Sequence, residues 1–129
     1  MANEAPHTVI RPSLNPAAGQ GLFAARDFEK GDWIADLTGD IIPIDQIPDA
    51  SLPYAISWKK GYALDPLSTQ FGSVGHLANS PHRDPLQRRA NAKFAIDRVN
   101  GSINVRATRH INAGEEILIN YGAGRTRRL

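Results

Sequence analysis

Eleven glycines and nine prolines are scattered along the whole chain. Glycine weakens regular elements and proline ends them, so the chain is cut into short pieces. No helical period survives beyond about 12 residues. A bundle of long helices or a parallel α/β sheet is therefore excluded, and a mainly β fold with little helix is expected. Residues 21–25, 33–37 and 40–44 read as strands, with Pro43 marking a strand end or a sheet edge. Residues 56–58 and 62–65 form a candidate hairpin, as do 92–96 and 103–106 across Asn100-Gly101. Residues 116–121 are the expected last strand. One or two helical turns fit 45–50 and 73–79, whereas 79–91 has no apolar period and reads as a loop.

The 129 residues suffice for one domain with its own core. Cysteine is absent, which excludes a disulfide framework, a cysteine-ligated zinc and a thiolate nucleophile. The four histidines lack ligand spacing, so no metal is expected. No apolar run approaches the roughly 18 residues of a membrane span. A soluble, intracellular domain is expected: nuclear or host-nuclear in a eukaryotic or viral setting, otherwise cytoplasmic. The net charge of +2 hides an asymmetry. Residues 1–82 carry five Lys/Arg against nine Asp/Glu, and residues 83–129 carry ten against four. The near-neutral total, and a basic tail with no interleaved aromatics, argue against direct nucleic-acid binding.

Serine-hydrolase, zinc-protease and phosphate-loop signatures are all missing. The order of the remaining motifs carries more information. Gly19-Gln-Gly-Leu-Phe-Ala24 is followed by Phe28-Glu-Lys-Gly-Asp-Trp-Ile34, Thr38-Gly-Asp-Ile41 and Tyr62-Ala-Leu-Asp65. Then come Gly75-His-Leu-Ala-Asn79, Asn91-Ala92 and Gly114-Glu-Glu-Ile-Leu-Ile-Asn-Tyr-Gly122. This succession resembles the SET-domain protein lysine methyltransferases over about residues 8–122, leaving 123–129 as a basic tail.

The resemblance implies a single domain of small curved sheets, closed by a C-terminal pseudoknot. It also implies S-adenosylmethionine as methyl donor and a basic protein, such as a histone tail, as substrate. By position, Gly19, Gln20, Gly21 and Leu22 would form the cofactor turn. Asn79 would hold the cofactor's amino-acid moiety, and Ser80 would stand near its adenine. Tyr121 would sit at the methyl-transfer centre, touching the cofactor as well. Tyr62, Phe71 and Ile119 would lie along the lysine channel. Taken alone, Tyr121 would pass for a strand-end core tyrosine, Asn79 and Asn91 for turn formers, and Glu115 and Glu116 for structural contacts.

The implied chemistry needs few residues. The methyl group arrives activated, so the protein's work is alignment of the lysine amine. Free lysine has a pKa of about 10.4, and its ammonium is not a nucleophile. A sulfonium charge about 4 Å away disfavours the ammonium by about 4 kcal/mol at an effective dielectric of about 20. That brings the lysine pKa down by about three, toward neutrality. Tyr121 is thus expected to position the amine rather than to act as an obligatory base.

The chain also departs from the family pattern. Asn79-Ser80-Pro81 replaces Asn-His-Ser, the stretch between Asn79 and Asn91 is long, His76 stands at a common arginine position, and Leu37 replaces a tyrosine. No zinc-binding cysteine cluster follows the tyrosine. The basic tail, the 79–91 loop or a second protomer in a homodimer would have to close the site instead.

Overall fold

The computed structural model describes residues 7–68, 75–97, 99 and 102–120. Its eight strands form three small antiparallel sheets, and the described residues contain no α-helix, only single turns of 3-10 helix. Strand β1 (Thr8–Pro12) pairs with β2 (Gln20–Ala24). Strand β3 (Trp33–Leu37) ends a sheet ordered β3-β8-β7, in which β7 (Ala92–Asp97) and β8 (Ser102–Ala107) are the expected hairpin. Strands β4 (Asp40–Pro43), β5 (Ile56–Lys59) and β6 (Tyr62–Asp65) make the third sheet, with β6 in the middle. Pro43 terminates an edge strand, where its missing N–H costs no ladder bond.

Period-two patterning explains which faces are buried. Ile103, Val105 and Ala107 of β8 point into the main core, as do Ile56 and Trp58 of β5. There they meet Leu22, Phe28, Ile34, Leu37, Ile111, Ile117 and Ile119. The middle strand β6 is covered on both faces: Leu64 joins this core, whereas Ala63 joins a second cluster with Ile47 and Ala55.

Three local outcomes differ from the sequence reading. Strand β1 was not expected, because four of its five residues are exposed and its order comes from backbone pairing with β2. The helical turns at 45–50 and 73–79 are reduced to 3-10 turns over Ile44–Gln46 and Gly75–Leu77. The last segment is extended but forms no ladder. It touches Phe23 through Glu116, Asn79 through Leu118, and Ala92 through Ile119. Ile117 donates its N–H to Leu22 O at 2.8 Å, and Ile119 donates to Asn79 O at 2.8 Å. Leu118 O in turn accepts from the N–H groups of Asn91 and Ala92. The segment thus joins β2 to both ends of the 79–91 loop, which is the described part of the expected knot. Tyr121, Gly122 and the tail lie outside the described residues.

Candidate active site

The turn joining β1 to β2 is the first component. Asn15 caps its 3-10 turn, accepting from the Ala17 N–H at 3.1 Å, and Ser13 N–H closes onto Gly19 O at 2.7 Å. The backbone reverses at Gly19, with φ of 77°, a conformation that L side chains rarely adopt. No heavy atom lies within 4 Å of where a Gly19 Cβ would stand, so the turn presents an open backbone surface. Gly21 differs, because it is buried and a Cβ there would lie 2.5 Å from Glu116 Oε2. Leu22 is fully buried in the core, and Gln20 is exposed.

Glu116 is the hub, and only 3% of it is exposed. Its Oε2 accepts from Ser13 Oγ at 2.7 Å and from Asn79 Nδ2 at 3.3 Å. Its Oε1 accepts from Leu14 N at 3.1 Å and from Arg88 Nη1 at 2.9 Å. Burial pushes this carboxyl up, but the hydroxyl, guanidinium and amide donors outweigh it and hold the group below its ordinary value. With both oxygens engaged and its charge stabilised, Glu116 is a structural anion and not a proton acceptor.

Arg88 extends the network into the long loop. Its Nε and Nη2 grip Asp84 at 2.7 and 3.0 Å, and its backbone N–H donates to the same carboxylate at 2.8 Å. The hydrogen bond from the Arg88 guanidinium holds Asp84 down at about 2, against the effect of burial. Arg88 is itself pushed above its ordinary value, first by Asp84 and then by Glu116. A planar, bidentate donor suits this fork better than a lysine would. The 79–91 loop is therefore pinned to the same carboxylate that holds the Gly19 turn.

Asn79 bridges the two halves. Its Nδ2 donates to Gln20 O at 2.9 Å as well as to Glu116. Both amide hydrogens are used, and Oδ1 accepts no bond among the described residues. Ser80 Oγ accepts locally from His82 N at 3.2 Å and keeps its own O–H as a donor. Asn91, 2% exposed, fastens the C-terminal segment by donating to Glu116 O and accepting from Leu118 N, each at 2.9 Å.

The residues expected at the cofactor turn thus converge with Asn79 around one buried carboxylate. Ile119 is fully buried in the core two residues before Tyr121. Tyr62 is partly exposed on β6, with Lys59 Nζ 5.2 Å from its ring centroid. Tyr121 and Phe71 lie outside the described residues. Sequence reasoning passed over Ser13, Asp84 and Arg88. The only local signal is the acid–base spacing of Asp84 and Arg88, which is ordinary on any polar loop.

Comparison with known proteins identifies the family and the fold. The sequence model of the SET domain matches residues 19–122. The chain is 28% identical over 126 residues to the N-lysine methyltransferase KMT5A-A of Xenopus laevis, covering 88% of this chain and 36% of that protein. It spans about a third of the length of the curated relatives it matches. A Plasmodium falciparum protein provisionally assigned as a histone methyltransferase superposes with a TM-score of 0.65 at 26% identity, covering 93% of this chain and 96% of that one. A chain of the Chaetomium thermophilum Polycomb Repressive Complex 2, in an autoinhibited conformation bound to S-adenosylmethionine, gives 0.69 at 26% identity. That match covers 92% of this chain and 15% of that one.

Proposed function

This chain belongs to the SET domain family of protein lysine methyltransferases, and from that membership we propose that it methylates a lysine of a basic protein, with a histone tail as the substrate. The observation that carries the reading is the junction at Glu116, which draws the Gly19 turn, Asn79 and the segment leading to Tyr121 into one place. The whole chain would act as one such domain, with its core over about residues 8–122.

The family uses S-adenosylmethionine, and the residues present fit its methionine end. That group carries an ammonium and a carboxylate. Asn79 Oδ1 offers an acceptor for the ammonium, and the bare backbone at Gly19 leaves room for close approach. When bound, S-adenosylmethionine supplies a methyl group already activated for transfer. The remaining work falls to the chain's own side chains. Glu116 and Arg88 fix the walls, so that Asn79 is oriented before any ligand arrives. Tyr121 would orient the lysine amine through its hydroxyl, with Tyr62, Phe71 and Ile119 shaping the approach. The 79–91 loop, tied down by Arg88, is the described element best placed to substitute for a cysteine–zinc lid. A second protomer remains the alternative, tested by sedimentation at assay concentration.

One feature favours a second reading, a catalytically weak SET-like module that binds a basic peptide. Ser80 stands where the family pattern has a histidine, and Pro81 offers no N–H to a ligand. Incubation with core histones and isotopically labelled cofactor, read by mass spectrometry, separates the two. Added methyl groups on lysine are expected, falling about 10²-fold or more in Tyr121→Phe through lost alignment. Calorimetric heat with a histone-tail peptide, without methyl transfer, would establish the module instead. No heat at high cofactor concentration would sink the methyltransferase reading, and no heat with the peptide would sink the module.

A further inference from the structure

A second concavity, sharing no residue with the Glu116 junction, opens against the β3-β8-β7 sheet. Its volume is about 360 Å³, within the range of small-ligand sites. Lys30, Lys93 and Arg106 stand around it and Thr108 adds a hydroxyl, whereas Ala95 contributes a methyl group and Ala107, whose own methyl is buried in the core, closes one wall. Gly31, in the turn before β3, has a φ of 91° and open space where a Cβ would stand.

The charges here are arranged at a cost. Lys93 and Arg106 are direct partners in the β7–β8 register, and like charges placed opposite one another destabilise a sheet. Among the described residues, ion pairs are made by Arg88 and His110, and none by Lys30, Lys93 or Arg106. Among the described residues, the acidic groups nearest along the chain form no ion pair with these three cations. Asp32 accepts from Glu29 N, Glu29 pairs with His110, Asp36 accepts from the Trp33 indole, and Asp97 accepts from Val99 N. Arg106 is oriented by Nε donating to Asn104 Oδ1 at 2.9 Å and Nη1 to Gly31 O at 3.4 Å, which leaves Nη2 without an acceptor among the described residues.

We infer that this concavity binds a small, multiply charged organic anion, a phosphate ester or diphosphate whose organic part rests on Ala95. A lone carboxylate would leave two of the three cations unanswered, whereas a diphosphate can engage all of them. A repulsive cluster kept in the free protein is relieved when such a ligand binds.

Titration of the full chain with inorganic pyrophosphate at physiological salt, followed through backbone amide NMR shifts, tests the inference. Saturable shifts are expected at Gly31, Lys93, Ala95 and Thr108, with Gly21 and Asn79 unmoved. The Lys30→Gln/Lys93→Gln pair should weaken binding by about tenfold or more, as loss of two solvent-exposed charge contacts implies. The same variant should melt no lower than the wild type, because the repulsion against Arg106 is gone. A lower melting temperature would show that Lys93 is held by contacts in the free protein and would overturn the argument. So would absence of saturation at millimolar pyrophosphate, or unchanged affinity in the variant. Duplex DNA shifting the same amides while pyrophosphate does not would make this a nucleic-acid face and equally reject the inference.

Discussion

The β3-β8-β7 sheet and the Glu116 junction stabilise the same domain by opposite means. In the sheet, alternate residues of β8 enter the core, and each strand contributes through its own local pattern. At the junction, one carboxylate gathers donors from positions 13 and 14 of the β1–β2 turn and from 79 and 88 of the long loop, two segments far from it and from each other in sequence. The sheet gains by removing apolar surface from water, which is non-directional and tolerant of small shifts. The junction gains only while every polar group is matched, since a buried donor or acceptor left alone costs its full desolvation. The sheet builds a fold that many sequences could build, and the junction makes one surface of it specific.

Ile117 and Glu116 are neighbours that fall on opposite sides of this divide. Ile117 is wholly buried in the core. Ile117→Ala should lower unfolding free energy by about 2–5 kcal/mol in urea melts, the range for losing a large aliphatic side chain from a packed interior. The variant that remains folded should bind S-adenosylmethionine with unchanged affinity by calorimetry. A large loss of affinity per folded molecule would mean that the core and the junction are not separable.

Glu116→Gln should do the reverse. Shape is kept, but one oxygen becomes an amide nitrogen that must face a donor from Asn79 or Arg88. About 1–3 kcal/mol of stability is expected to go, with cofactor affinity falling by at least about tenfold. The acid limb should change too. Asp84 and Glu116 both have depressed values in the folded state, so their contribution is complete above the unfolded values of 3.8 and 4.5. It is lost as pH falls through the folded ones, about 2 for Asp84. Wild-type stability should therefore decline as acid is added below about pH 4.5, and Glu116→Gln should decline less steeply. Parallel acid limbs would show that Glu116 does not ionise as the geometry requires.

The same divide decides what could be read in advance. Ile56-Ser-Trp-Lys59 and Ser102–Ala107 alternate between core and solvent, so their strands were legible residue by residue. The β7–β8 and β5–β6 pairings were legible because their turns are short and local. Strand β1 has no buried stripe to betray it. The 116–121 stretch has the composition of a strand, yet its partners are spread over three distant segments, and only tertiary structure decides that. At the candidate site, Gly19, Gly21 and Asn79 could be found because a motif order carried them. Ser13 and Arg88 could not. The Ser13–Glu116 bond spans 103 residues, and a serine before Leu14-Asn15-Pro16 looks like any turn residue.

A third kind of polar contact is exposed on both sides. His110 Nδ1 lies 3.1 Å from Glu29 Oε2, and Nε2 lies 2.8 Å from Asn112 Oδ1. Both acceptors favour the doubly protonated ring, Glu29 more than Asn112, and the histidine is raised above its ordinary value of 6.5. A raised folded value means that the contribution is complete below about pH 6.5 and disappears as pH rises through the folded one. The clamp ties the turn before β3 to the turn after β8, where Phe28 and Ile111 already exchange two backbone hydrogen bonds. Little should therefore depend on it, and solvent screens what remains. Melting temperatures measured from about pH 5.5 to 8.5 should show a slight fall in the wild type that is absent in His110→Gln. If the wild type instead loses as much stability here as Glu116→Gln does, burial is not what separates the strong polar contacts of this domain from the weak ones. If the two curves coincide, the histidine does not hold its second proton in the folded state.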